Sequence, residues 1–377
     1  MMDTMATLVR RGSQFAQKQT EVEIPNWAVA VIVILAITFS ISLTLVDYTY
    51  GNLIPTLIMV EDPKATLYDP LETEDPLLDL DNNKKTGQAT EPELFVKPKP
   101  VTFSFRTTLT HLRARAGRRS RFRGIASFFV SAVVISHITR AISFIGILPG
   151  SPIVAPVLAS AIAAHFPLLW THIVISEPTA KSWFKRFAPL RTWKKIAGPT
   201  AIFMLVRQVA ILVPAMLALR INTEGVNAPH DLAKMACRDQ MMLVLKGLGV
   251  SVLSFVLWIV LVIPAKVSLT RVQSSLLADE YEPIVPFDRS FGGKVIPAIV
   301  GGSGVLGMKD AWKTFDRNSR VRLLKAYIKV AAIEIALTLL FSGAAIATAV
   351  LAVGPENLKK LLESIKTGDD HTKVTHV

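Results

Sequence analysis

The sequence predicts an all-α membrane protein with six transmembrane helices in three pairs, and three observations carry that expectation. The 377-residue chain is 51% hydrophobic and 19% charged, with a mean hydropathy of +0.42, whereas a soluble domain carries about 25% charged residues. Six apolar runs near 26–46, 124–148, 152–176, 197–220, 241–264 and 327–352 each reach the about 20 residues that a helix needs to cross a bilayer core. The connections between them run about 77, three, 20, 20 and 62 residues, which pairs the first span with the second, the third with the fourth and the fifth with the sixth.

Taken in order, residues 1–25 form an N-terminal tail and 26–148 the first helix pair. The first span is too long for a signal-peptide core, and no small-residue cleavage site follows at Tyr48-Thr49-Tyr50-Gly51, so it is expected to be retained. Arg10, Arg11 and Lys18 resemble a weak targeting helix, a pattern diluted by Asp3, Glu21 and Glu23. An insertion at 61–100 interrupts the pair. Its 61–93 part holds ten acids, three lysines and Pro63, Pro70, Pro76 and Pro92 with no apolar periodicity, the composition of a disordered, solvated loop. A docking site for a basic protein partner is its functional reading. Residues 149–220 form the second pair, and 241–352 the third, with a long loop at 265–325. In that loop Leu276 to Gly293 is too proline-rich for a helix and too charged for a spacer, and it is expected to fold as a plug or docking loop. A tail at 353–377 begins with a short amphipathic piece, Leu358 to Ile365.

Charge sets the orientation. Seven arginines and no acid lie between Arg106 and Arg123, six basic residues and no acid between Lys181 and Lys195, and ten basic residues against six acids between Lys266 and Lys325. These three connections are assigned to the inside, and both termini to the opposite face. The net charge of +13 is thereby explained by topology, and without a recognisable binding motif no nucleic-acid partner is expected. Cys237 is the single cysteine, so no internal disulfide and no four-cysteine metal site can form.

Three helix pairs, each with a basic inside loop, resemble the plan of the mitochondrial carrier family. Pro264-Ala265-Lys266-Val267-Ser268-Leu269-Thr270-Arg271-Val272-Gln273 is similar to that family's proline-acid-base segment, keeping the proline and the Thr-Arg-x-Gln. Lys266 stands in the acid's place and Leu269 in the base's. After the third span Pro178 is kept, with Ala180 and Trp183 at the ionic positions; after the first, Pro55 is kept, with Leu57 and Val60 there. Phe122-Arg123-Gly124 looks like the aromatic-basic-glycine turn that, in the family, offers helix N–H groups to a cardiolipin phosphate. Met308 to Phe315 resembles the short inside helix of the third repeat. The resemblance implies a six-helix carrier-like bundle in the mitochondrial inner membrane, and a membrane-lipid partner. No repeat keeps both ionic residues, so the family's ring of salt bridges cannot form at these positions. Either the gate closes by apolar packing or it does not open as a carrier's does. Pro55, Pro178 and Pro264 are expected to kink their helices toward one another.

Ionisable residues inside spans are costly and usually face a polar interior or snorkel. The candidate cavity residues are His137 and Arg140, three apart on one helix face, His165 and His172, seven apart on one face, Arg207 and Glu334. Arg207 suits a carboxylate or phosphate through its bidentate fork; an internal pair with Glu334 is the alternative. Arg140, Lys246 and Lys329 are close enough to span ends to snorkel, and the histidines read more simply as packing residues. Gly302-Ser303-Gly304-Val305-Leu306-Gly307 spells a dinucleotide loop but lacks the βαβ unit that the motif needs, so a glycine-rich connector is expected. No metal spacing, serine elbow or Cys–His pair appears, and neither an enzyme nor a cofactor is expected. Two functions remain in view: a carrier-like exchanger of a small anionic solute, and a carrier-derived protein that no longer transports and acts in outer-membrane insertion, fusion or assembly.

Overall fold

The computed structural model describes residues 25–62, 100–145, 151–222, 237–296 and 298–353. Most of the acidic 61–93 segment, the Leu358–Ile365 piece and the end of the expected second span at 146–148 lie outside the described residues. Helix α1 (Asn26–Val46) continues through a π-helical stretch, Asp47–Leu53, into α2 (Ile54–Val60). After the insertion come α3 (Phe105–Ala116) and α4 (Ile125–Ile145), then α5 (Ser151–Ile162), α6 (His165–Ile175) and α7 (Trp193–Asn222). Helix α8 (Cys237–Leu257) passes through a second π stretch, Trp258–Val262, into α9 (Ile263–Ser274); α10 (Met308–Lys313) and α11 (Arg317–Val353) follow. The only strand-like pairing among the described residues is a single bridge between Ser176 and Pro283.

Five helical stretches are long and apolar enough to cross a membrane, Asn26–Val60, Ser120–Ile145, Leu190–Ile221, Arg238–Ser274 and Arg317–Ala352, and a sixth is obtained if α5 and α6 count as one bent span. Their outward faces carry large exposed apolar side chains such as Ile34, Phe144, Met216, Leu248 and Leu339, as a bilayer-facing helix requires. The chain is thus an all-α protein of membrane-spanning type.

The expected third span at 152–176 is not one straight helix. It breaks at Ala163-Ala164, and its halves are bent by 59°. Pro167 is the physical cause: without an N–H it cannot bond to Ala163, and its ring displaces that carbonyl, which instead accepts from the Phe166 N–H at 3.0 Å. The helices of the expected fifth and sixth spans overrun the apolar runs. Helical structure persists to Ser274 and begins already at Arg317, and Arg317 to Ala326 is rich in good helix formers.

Pro55 and Pro264 each occupy the second residue of an α segment that directly follows a π stretch, Ile54-Pro55 and Ile263-Pro264. The helices are rewound there rather than ended, the usual form of a π bulge. Pro178 is placed differently from the kink expected of it. It lies beyond α6, two residues past the C-cap Ser176, so it cannot bend that helix.

Contacts divide the chain into two compact units, Met1–Leu45 with Val226–Gln240 and Ala332–Val377, and Val46–Gly225 with Met241–Ala331. In the first, the Phe39 and Phe341 rings meet at 5.3 Å. In the second, α2, α6 and α9 touch one another pairwise. Their core is apolar: Ile54, Leu57, Ile58, Val174, Ile175, Val267 and Val272 are buried together with Ile284, Val285, Phe287 and Phe315.

Candidate functional site

The second unit holds two linked features, a polar cluster at the level of the π stretches and an apolar closure beyond it. The cluster begins with Pro55, which has no N–H to return to the turn before it. The Gly51 carbonyl of that turn instead takes the Lys266 ammonium at 3.5 Å, and Asn52 Oδ1 accepts from the same Nζ at 3.2 Å. Asn52 is held by its own bonds, Nδ2 donating to the Asp47 carboxylate at 3.1 Å and to the Asp47 carbonyl at 3.2 Å. Gly51 is needed here for space, since a Cβ on it would stand 2.5 Å from Asp47 Oδ1. Lys266 lies within electrostatic range of both Asp47 and Arg207, and its Nζ is 5.7 Å from the centre of the Tyr327 ring. Trp258 meets Tyr327 edge-on at 4.7 Å. In the resembled family the position of Lys266 closes an ionic ring; here the lysine instead reaches across to the first odd-numbered helix.

Beyond the cluster the helix ends are closed without such a ring. Leu57, Val60 and Leu269, three of the positions where the resemblance places charges, are buried in the core. The retained Thr-Arg-x-Gln residues cross-link the helix ends. Arg271 donates to the Met59 carbonyl at 3.0 Å and to Thr314 Oγ1 at 3.1 Å, and its guanidinium lies 4.7 Å from the Phe291 ring centre. Thr171 donates to Gln273 Oε1 at 2.7 Å, and His172 Nε2–H donates to the Gln273 carbonyl at 2.9 Å.

Over these ends lies the segment Leu277 to Phe291. The Ile284 N–H donates to Ile175 at 2.8 Å, the Glu177 N–H to Glu282 at 2.7 Å and the Asp62 N–H to Pro286 at 3.0 Å; His111 Nε2–H reaches the Ile284 carbonyl at 2.8 Å. One stretch of the fifth span's loop therefore bonds the ends of α2 and α6 and the side of α3. Arg289 braces it internally through Asp279 at 3.0 Å and the Tyr281 carbonyl at 2.6 Å. Burial pushes the Asp288 carboxyl up, but bonds from the Gly292 N–H and from the Ser290 hydroxyl and N–H outweigh it, so Asp288 is held below its ordinary value. At the exposed rim Lys181 meets Glu280 at 2.9 Å, a bond that raises the lysine and lowers the glutamate.

The remaining candidates lie on several helices. His165 Nε2 lies 3.3 Å from the Pro189 carbonyl and from Thr192 Oγ1, and His172 is buried, so both are packing residues in this structure. On α4, His137 Nδ1–H donates to Val133 at 2.8 Å within its own helix, and Arg140 is exposed. Glu334 belongs to the first unit, where its carbonyl accepts from Thr338 Oγ1 at 2.8 Å; Arg207 belongs to the second. The loop at Gly301 to Gly307 follows no strand among the described residues, and Lys195 Nζ donates to Ser303 at 2.7 Å. No group of three or more His, Cys, Asp or Glu residues among the described residues could hold a metal. Asp47, Asn52, Tyr327 and Trp258 escaped sequence reasoning. For Asp47 and Asn52 the usable signal was an acid and an amide between the first apolar run and Ile54-Pro55.

The Phe122-Arg123-Gly124 turn is built against the first span. Tyr48 donates its hydroxyl to the Arg123 carbonyl and accepts from Trp170 Nε1 at 3.2 Å, while both terminal nitrogens of Arg123 are shielded and meet no acceptor among the described residues. Gly124 sits at φ +75°, and a Cβ there would lie 3.1 Å from Ile173 and 3.3 Å from Trp170. Gly124→Ala is therefore expected to cost about 1–3 kcal/mol, from left-handed strain plus crowding. Gly117→Ala, at φ +76° and ψ −173° with nothing within 4 Å, should cost about 1–3 kcal/mol from strain alone, because that extended mirror region is open essentially to glycine only. Thermal unfolding of the two variants in detergent checks both losses; an unchanged midpoint in either refutes the strain assigned to it.

Compared with known proteins, the chain matches no family model, no curated protein and no solved structure.

Proposed function

We propose that this chain is a carrier-like transporter that moves a small anionic solute across a mitochondrial membrane, along a path lined by Arg207 and Lys266. The supporting observation is that Lys266, inside a membrane-crossing helix, bonds Gly51 and Asn52 of the first span, with Asp47 and Arg207 within electrostatic range of it. Charge in that setting is expensive and marks substrate or ion pathways. The termini lie opposite the basic loops, in the inner membrane. The terminal nitrogens of Arg123, without a hydrogen-bond partner among the described residues and next to a helix start, suit a lipid phosphate such as that of cardiolipin. Protein reconstituted in liposomes is expected to exchange a small carboxylate or phosphate, with Arg207→Ala and Lys266→Ala each lowering the rate at least about tenfold, the loss of one charge-assisted bond. No exchange across a panel of small anions refutes the proposal.

A second reading, a non-transporting protein of carrier descent that scaffolds insertion or fusion in the outer membrane, is favoured by one observation: the Leu277–Phe291 segment bonds the ends of α2 and α6 together. Under that reading wild type exchanges nothing, and protease added to intact organelles cuts the basic loops.

A further inference from the structure

The Tyr327 side chain carries a question that the proposed path leaves open. It is 6% exposed, and its hydroxyl is shielded and has no hydrogen-bond partner among the described residues. A buried hydroxyl without a partner is unfavourable and rare in native structures. It lies in the same cluster as Lys266, whose ammonium stands near the ring, and within electrostatic range of Asp47. Lys266 has three N–H donors, and two are directed at Gly51 and Asn52.

Charge limits what such a cluster accepts. Arg207 and Lys266 contribute two positive charges and Asp47 one negative, a net of +1 inside helices that cross a membrane. A single carboxylate neutralises that sum, and its two oxygens provide acceptor sites for a guanidinium fork, an ammonium and a phenol together. A second carboxylate on the ligand would bring an uncompensated charge into a medium of low dielectric, against Asp47.

We infer that the cluster of Arg207, Lys266 and Asp47 is a site for monocarboxylates, with the Tyr327 hydroxyl donating to the bound carboxylate and Asp47 excluding dianions. The inference rests on the proposed transport path and names its ligand class. Asn52 positions the selecting carboxylate through its bond to Asp47 Oδ2 at 3.1 Å, and Gly51 leaves the room that this carboxylate occupies.

The test uses the full chain purified in detergent at fixed ionic strength, with propionate, succinate and inorganic phosphate as probes, binding being read by calorimetry and unfolding by thermal shift. Propionate and succinate differ chiefly in the second carboxylate. Wild type should bind propionate at least about tenfold more tightly than succinate or phosphate, as one unpaired charge requires. Tyr327→Phe should weaken propionate by about tenfold, the loss of one bond to a charged group, with no fall in the ligand-free unfolding midpoint. Asp47→Asn should reverse the preference toward succinate. A wild type that prefers succinate or phosphate overturns the inference and leaves an anion transporter standing. Unchanged propionate affinity in Tyr327→Phe, or a lower ligand-free midpoint, makes the hydroxyl structural and also overturns it. Binding of none of the three probes removes the proposed function along with the inference.

Discussion

Ile284→Asp is expected to destabilise the protein by more than about 4 kcal/mol, or to expel the loop that carries it. Ile284 is 2% exposed and packs where α2, α6 and α9 meet, with its N–H on Ile175 and its carbonyl on His111. An aspartate there gives up the apolar contacts and buries a charge with no cation against it. Ile284→Ala, which only opens a cavity, should cost about 2–5 kcal/mol. Hydrogen exchange separates global from local loss. If the loop leaves alone, the amides of Ile284, Glu177 and Asp62, which bond across the loop and helix ends, exchange fast while those within α9 stay protected. The variant also bears on function. In a transporter the expelled loop opens the closed side and raises leak, whereas a scaffold shows no flux in either state.

Glu61→Ala should cost about 2–3 kcal/mol, because it deprives the half-buried Arg322 guanidinium of its ion-pair partner, leaving Asp316 within electrostatic range, and removes the acceptor of Thr102. Glu61 is 2% exposed; it lies 3.3 Å from Arg322 and accepts from the Thr102 N–H at 3.3 Å and from the Thr102 hydroxyl. Those bonds pin residues 61 and 102 together, so the chain between them leaves and returns at one place. Glu61→Gln keeps an acceptor for Thr102 and gives up only the charge, and should cost less than the alanine. Unfolding midpoints of the two variants check the order; equal losses would assign the stability to the Thr102 bonds instead of the ion pair.

The sequence by itself determined that the chain is helical and apolar enough to cross a membrane, since length and hydropathy are local properties that a bilayer reads directly. Tertiary structure alone decided what the residues touch. Arg271 could be read as a retained motif residue, but its bonds to Met59 and Thr314 depend on segments 212 and 43 residues distant in sequence, respectively. Lys266 looked like a missing acid, and folding made it the partner of Asn52 on the first helix. The break at Ala163 and the placing of Pro178 beyond α6 follow from backbone bonds that hydropathy does not sense. Partners far apart in sequence leave no periodic trace in it, and a charge's role inside a membrane is set by which charge faces it.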